Sequence, residues 1–264
     1  MTKNSKSSID RAIAAVIMAA GLGKRMKDPT LAKVMYELDG RPMLHYVVDL
    51  AYELGACRVI VIVGHQRDLV TEYLRTTHHN AQCVIQEQLL GTGHAVLQAE
   101  ESLSGFLGDV LVLSGDVPLL TERTMQDLLH HHFTTNAVAT ILTATVEDPT
   151  GYGRIIRNAD GSVKRIVEHR DASEQERSVR EINSGIYLFD KEKLFDGLRH
   201  ITPQNVQNEH YLTDIFEYFW RHHWTVSALT AKHVEEIHGI NTVEQLDQAR
   251  AILERRLNAR RSEP

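Results

Sequence analysis

An apolar run over residues 13–18 ends at Ala19-Ala20-Gly21-Leu22-Gly23-Lys24-Arg25. Two glycines behind a buried strand let the backbone turn tightly and approach a ligand closely. Exposed N–H groups in such a loop can cradle phosphate oxygens. Lys24, Arg25 and, downstream, Lys33 add the positive charge that suits a polyphosphate. The same loop also reads as a dinucleotide-binding turn or a plain strand–loop corner. Against the fingerprint G-x-G-x-x-G, position 26 is Met, and the P-loop signature G-x-x-x-x-G-K-[ST] is absent. Ser114-Gly115-Asp116 puts a carboxylate at the end of another apolar run. Magnesium takes one or two carboxylates with phosphate oxygens and water, a role open to Asp116. A cap on the turn before Pro118 is the other reading. In Gly91-Thr92-Gly93-His94, Thr92 could cap the following helix or help present backbone groups to a base or phosphate.

Elements of a definite kind must position these residues. Residues 13–18, 58–63, 83–86 and 109–113 read as buried strands, apolar nearly throughout, as parallel strands covered on both faces are. Helices are expected from Pro42 to about residue 54, over 66–74, over 92–101, and from a Thr121 cap to about 131. This alternation means βαβ units and a mostly parallel sheet. After about residue 137 the rhythm changes. Strands are expected over 137–145, 154–157, 163–168, 182–189 and 224–229, with a helix over 211–222. Asn241-Thr242 opens a long last helix. The expected fold is α/β: a Rossmann-like mixed, mostly parallel sheet flanked by helices, with a smaller antiparallel lobe. Residues 1–10 read as a flexible tail and 11–254 as one domain. Within it a first lobe covers about 11–136, a second about 137–240 (the nucleotide and sugar-binding lobes that the family resemblance set out next implies), and the C-terminal helix about 241–258.

The whole pattern resembles the sugar-1-phosphate nucleotidyltransferases. Within that family it is similar to the uridylyltransferase domain of the bifunctional bacterial enzymes that make UDP-N-acetylglucosamine. The likeness rests on Met18-Ala-Ala-Gly-Leu-Gly-Lys-Arg-Met26, Lys33-Val34, Gln86, Leu90-Gly-Thr-Gly-His94 and Gly115-Asp-Val-Pro-Leu119 in order. It continues through Asp148-Pro-Thr-Gly-Tyr-Gly-Arg154, Val167-Glu-His-Arg-Asp-Ala172, Glu181-Ile-Asn-Ser-Gly185, Tyr211-Leu-Thr-Asp214 and Gly239-Ile-Asn-Thr242. The resemblance implies that Met18, Ala19, Ala20, Gly21 and Gly23 hold the triphosphate beside Ser114 and Gly115. It implies that Gln86, Gly91 and Thr92 recognise uracil, an amide suiting the imide edge. Arg25, Lys33 and Asp116 are the implied catalytic residues, and Asp116 and Asn241 the implied Mg2+ ligands. Gly153, Glu168 and Asn183 fall on the sugar site, with Tyr211 and Thr213 beside it; these last two read equally well as a helix start. The implied reaction joins UTP to a sugar 1-phosphate, N-acetylglucosamine 1-phosphate foremost, and releases pyrophosphate. Another base, another sugar, or a non-catalytic sugar-nucleotide sensor are the alternatives.

Three departures from the family pattern stand out. Ala32 precedes Lys33 where relatives usually carry Pro, and Asp28-Pro29-Thr30 makes the stretch one residue longer. Ser114 replaces a Tyr found in some relatives. The 264 residues hold no hexapeptide repeat of the kind that builds a β-helix, so acetyl transfer is not expected of them.

Bulk properties narrow the class further. A net charge of −6 speaks against a nucleic-acid binder. No apolar run approaches the roughly 18 residues a membrane span needs, and no signal peptide is evident, so a cytoplasmic protein is expected. Cys57 and Cys83 read as two buried thiols in a reducing compartment. His78-His79, His130-His131-His132 and His222-His223 read as solvated surface residues, and His94 as a packing residue. Glu100-Glu101 and Glu235-Glu236 read as solvated faces. The oligomeric state is left open.

Overall fold

The computed structural model describes residues 11–262 apart from Lys24, Lys27 and Pro29, with side chains to residue 258. The expected tail over 1–10, the charge of Lys24 and the centre of the Asp28-Pro29-Thr30 insertion lie outside the described residues. In chain order, β1 spans Ile13–Ala19, and a 3-10 turn, Lys33–Met35, precedes the hairpin of β2 (Glu37–Leu38) and β3 (Arg41–Pro42). Then come α1 (Met43–Glu53), β4 (Arg58–Val63), α2 (Arg67–Thr77), β5 (Gln82–Ile85), α3 (Thr92–Leu97), β6 (Asp109–Ser114) and α4 (Glu122–Thr135). The second half holds β7 (Ala139–Thr145), β8 (Arg154–Arg157), β9 (Val163–Val167), α5 (Glu174–Arg177), β10 (Glu181–Asp190) and α6 (Lys191–Leu198). It closes with α7 (Ile215–Arg221), β11 (Val226–Thr230) and α8 (Val243–Ser262).

The main sheet runs β11-β7-β10-β6-β1-β4-β5. Among the described strands of that path, β10 runs against all the others. The β8–β9 hairpin hangs antiparallel from β10 through Ile182 and Arg154. Alternate residues of β1 face opposite layers. Ile13, Ala15 and Ile17 join the core beneath α1, α2 and α4, whereas Ala14 and Val16 join the core beneath α3, α6 and α7. That pleat explains why β1 is apolar at every position. A third, smaller cluster, including Leu38, Met43, Leu119, Ile240 and Leu246, fastens α8 to the β2–β3 hairpin.

Chain connections place the site. From β1 the chain moves outward through β4 and β5, then returns to β6 on the other side of β1. This reversal leaves a crevice at the carboxyl ends of β1 and β6, where open α/β sheets bind ligands. Because β10 is reversed, its first residues lie at the same edge: Tyr187 pairs with Val112, so Asn183 to Gly185 extend past Ser114.

Several expectations need correction. Cys57 is exposed because it lies in the turn that enters β4, and Cys83 is half-buried because it lies on the edge strand β5. His132 is fully buried, with Nδ1 2.8 Å from Thr140 Oγ1 and Nε2 3.6 Å from the buried Asp109. Arg11 Nε lies 3.0 Å from the other oxygen of Asp109. Runs of adjacent histidines hide this, since one residue of a helical triplet faces inward. His78 is buried too. Glu236 is 3% exposed and accepts 2.8 Å and 3.3 Å bonds from the hydroxyl and N–H of Thr121. The helix expected over 92–101 stops at residue 97 and resumes as a 3-10 turn, and that over 211–222 begins as one.

Candidate active site

Two adjoining cavities occupy the crevice. The larger, about 390 Å³, is lined by Met18 to Leu22, Lys33, Val34, Gln86, Leu89, Gly91, Thr92, Ala95, Ser114, Asp116 and Glu209. The smaller, about 230 Å³, is lined by Gly151 to Gly153, Glu168, Asn183 to Gly185, Tyr187, Leu212 and Thr213. Met18, Thr92 and Ser114 line both, so they form the sill between them.

At the edge of the larger cavity four polar side chains converge. Lys33 Nζ is paired with Asp116 Oδ2 and donates a 2.9 Å bond to Asn241 Oδ1. Arg25 reaches the same Asn241 oxygen at 2.7 Å. The amide of Asn241 is oriented by its own Nδ2, which donates to Gly239 O at 3.0 Å. Gln245 Oε1 accepts from the N–H groups of Asn241 and Thr242, so the start of α8 is capped without using the Asn241 side chain. Ile240 N donates to Asp116 O at 2.9 Å and ties the two loops together. Gly23, at φ 60°, lies so close to Lys33 that a Cβ would stand 2.9 Å from the Lys33 Cβ. Glycine there lets the loop press on the lysine stem.

The far wall of the larger cavity is built by Gln86 and the loop before α3. Both N–H bonds of the Gln86 amide stay within the protein, to Gly91 O at 3.1 Å and His94 Nδ1 at 2.9 Å. A ligand therefore meets the Gln86 oxygen. Burial pushes His94 below the usual imidazole range, which suits an accepting neutral ring. Gly91 adopts φ 110°, ψ 174°, a region essentially restricted to glycine. Its missing side chain lets His210 donate to Leu90 O at 2.8 Å while accepting from Gly93 N at 2.8 Å. Thr92 Oγ1 accepts from Leu212 N at 3.0 Å, so its hydroxyl fastens this strap.

In the smaller cavity Thr213 Oγ1 donates to Glu168 Oε1 at 3.1 Å. Burial raises the Glu168 carboxyl above the usual range, and the neighbouring Asp171 adds to the rise. Asn183 Nδ2 donates to Tyr187 OH at 2.7 Å, and its Oδ1 accepts from Gly185 N at 3.2 Å. The register of β10 against β7 shifts between Asn183 and Tyr187, a bulge that turns this segment toward Ser114. A Cβ on Gly153 would press on Ile166, Glu168 and Asn183 at 3.1–3.4 Å.

The structure thus brings Met18, Ala19, Ala20, Gly21, Lys33, Gln86, Gly91, Thr92, Ser114 and Asp116 to one cavity wall, and Gly153, Glu168, Asn183 and Thr213 to the other. Arg25 and Asn241 stand just outside, at the Lys33 junction. Gly23 and Gly115 shape the wall from behind, Gly115 through its N–H to Met18 O at 3.0 Å. Tyr211 is 8% exposed and lines neither cavity; burial and nearby carboxylates push its hydroxyl up to about 12. Sequence reasoning missed Leu22, Val34, Leu89 and Glu209 in the larger cavity, and Tyr152, Ser184 and Tyr187 in the smaller. Exposed leucines at 22 and 89 beside a glycine loop were the available signal.

Comparison with known proteins agrees with this geometry. Residues 14–235 match the family described as Nucleotidyl transferase. The chain is 47% identical over 245 residues to the bifunctional protein GlmU of Geobacillus thermodenitrificans, covering 92% of this chain and 52% of that protein. It is 46% identical over 246 residues to the bifunctional protein GlmU of an Exiguobacterium species, covering 93% and 54%. The chain therefore spans about half the length of the curated relatives it matches. UDP-glucose pyrophosphorylase complexed with UDP-glucose superposes with a TM-score of 0.76 at 19% identity, covering 93% of this chain and 99% of that one, a likeness of fold. With its crevice at the strand reversal and a family match across most of its length, the chain belongs to the nucleotidyl transferase family.

Proposed function

We propose that this chain transfers a uridylyl group from UTP to a sugar 1-phosphate, N-acetylglucosamine 1-phosphate foremost, giving a UDP-sugar and pyrophosphate. The observation that carries this reading is the shared sill. A nucleotide in the larger cavity and a sugar in the smaller would meet at Met18, Thr92 and Ser114, beside Lys33 and Asp116. The ordered motifs shared with the uridylyltransferase domains support uracil and N-acetylglucosamine as the first choices.

The donor set at the junction fits the magnesium ion that the family implies. One carboxylate oxygen and one amide oxygen already hold a cation between them, the Lys33 ammonium. Asp116 and Asn241 would hold Mg2+, and two protein oxygens leave room for phosphates and water. When bound, the ion supplies charge neutralisation between substrate phosphates.

The remaining work falls to the chain's own groups. The acceptor phosphate is ionised at neutral pH, so its attack on the α-phosphorus requires no general base. Backbone N–H groups of the Ala19–Gly21 stretch hold the triphosphate, and Arg25 and Lys33 offset its charge as pyrophosphate departs. The Gln86 oxygen accepts from the uracil imide N–H, the orientation its internal bonds leave open. Glu168, Asn183 and Thr213 bind sugar hydroxyls and the acyl group against the bare Gly153 backbone. Rate enhancement arises from positioning and charge complementarity.

A substrate panel tests this. UTP, CTP and dTTP are each paired with the 1-phosphates of N-acetylglucosamine, N-acetylgalactosamine and glucose, and products are identified by mass. UDP-N-acetylglucosamine is expected to dominate. A different dominant product would change the substrates and keep the chemistry. No nucleotide sugar from a folded protein that still binds UTP would replace catalysis with sensing.

A further inference from the structure

Away from the crevice, on the α1–α2 face, two histidines from different helices aim at one carboxylate. His45 and Asp49 are one turn apart on α1, and His78 follows the last turn of α2. Asp49 Oδ2 lies 3.2 Å from His45 Nε2, and Asp49 Oδ1 lies 2.9 Å from His78 Nε2. The ligand atoms of all three residues fall within 4.8 Å of one another. Four ligands held tetrahedrally at zinc–nitrogen distances stand about 3.4 Å apart, so the carboxylate–imidazole spacings are already those of a shared ion. We propose that His45, Asp49 and His78 form a binding site for a divalent transition ion of the Zn2+ class.

Three further observations carry the assignment. Both rings are held by their other nitrogen: Tyr73 OH is 2.9 Å from His45 Nδ1, and Thr77 Oγ1 is 2.9 Å from His78 Nδ1. Ligating histidines are characteristically oriented this way, with the second nitrogen bonded to a fixed partner. A cation already attends the site, since Arg41 NH1 lies 3.3 Å from His45 Nε2 and must donate to a ring lone pair there. Two imidazoles with one carboxylate suit zinc, nickel or copper better than magnesium. The half-exposed Asp49 side leaves a coordination position for water. The ion would clamp α2 onto α1, two helices that share one core through Val47, Ala51, Val70 and Leu74.

The test uses the full chain, treated with chelator and then freed of it, in excess Mg2+ to mask the crevice. Zn2+ titration by calorimetry is expected to give one saturable equivalent per chain and a raised melting temperature. Co2+ is expected to give the visible absorption of a four- or five-coordinate ion. His45→Gln, Asp49→Asn and His78→Gln should each weaken binding by more than the about 10–100-fold typical of losing an outer partner. Arg41→Ala should tighten it by removing the competing cation, and His222→Gln with His223→Gln should leave it unchanged. In wild type, ring-nitrogen NMR should show Zn2+ shifting the Nε2 signals of two histidines, a readout that holds even where a variant fails to fold. No saturable Zn2+ binding, binding that survives the three variants, or shifts confined to other histidines would each show a hydrogen-bonded cluster and overturn the proposal.

Discussion

Asp116 and Lys33 hold one another at the mouth of the crevice, each about one-sixth exposed. Replacing Asp116 with Ala should remove turnover and leave the fold intact, because its side chain faces the crevice and belongs to none of the apolar core clusters. Far-ultraviolet circular dichroism and pyrophosphate release on the same sample check this; wild-type-like turnover at low Mg2+ would contradict the metal assignment. Asp214 makes a separate case. Burial, then Glu168, Asp171 and Glu217, push its carboxyl up from 3.8 to about 6. The folded state therefore binds the proton more tightly than the unfolded chain, and stability falls as pH rises from about 4 to about 6. Asp214→Asn should flatten that decline in melting temperature between those values, and an unchanged pH profile would contradict it. Asp116, Gln86 and Asn183 were legible from residue type within their motifs. His132 and Glu236 were not, because one inward position in a polar run leaves no mark on composition.

At the scale of elements, the loop before α3 and the segment before α7 act as one strap. Gly91 is its weak point: a Cβ there would stand 2.6 Å from His210 O, at backbone angles that glycine alone tolerates. Gly91→Ala should cost about 1–3 kcal/mol of stability through backbone strain alone. It should also raise the KM for UTP by displacing the Gln86 wall; a chemical-denaturation curve and a UTP saturation series check both. Strands β1, β4 and β6 were readable because both faces are buried and nearly every residue is apolar. The β2–β3 hairpin and α5 were missed, being two to four residues long. Helix α6 was missed because β10 runs straight into it, with Asp190 both ending the strand and accepting from Lys193 N at 3.0 Å. The bulge in β10 was invisible for a different reason: it depends on pairing with β7, which local sequence does not encode.

Across the whole molecule, strand β10, reversed within the otherwise parallel path of the main sheet, carries Asn183 to the crevice that Met18 and Ser114 also line. The alternation of strands and helices made that sheet legible, whereas the position of β10 between β6 and β7 was not. In the layer beneath α7, Phe216 lines neither cavity, and its neighbour Tyr187 connects that layer to the smaller one. Phe216 is fully buried against Phe189 and Tyr187, at ring distances of 5.7 Å and 5.4 Å. Phe216→Leu should lower the melting temperature and leave KM values near wild type; a large KM change would mean that this layer also shapes the sugar cavity. The claim that unites these scales is that two cavities bring a triphosphate and a sugar phosphate together over one sill. The most direct measurement is pyrophosphate release with UTP, Mg2+ and N-acetylglucosamine 1-phosphate, run beside a control lacking the sugar. Release that depends on the sugar is the predicted result. Release that is equal without it, or absent with every sugar phosphate offered, would contradict the account.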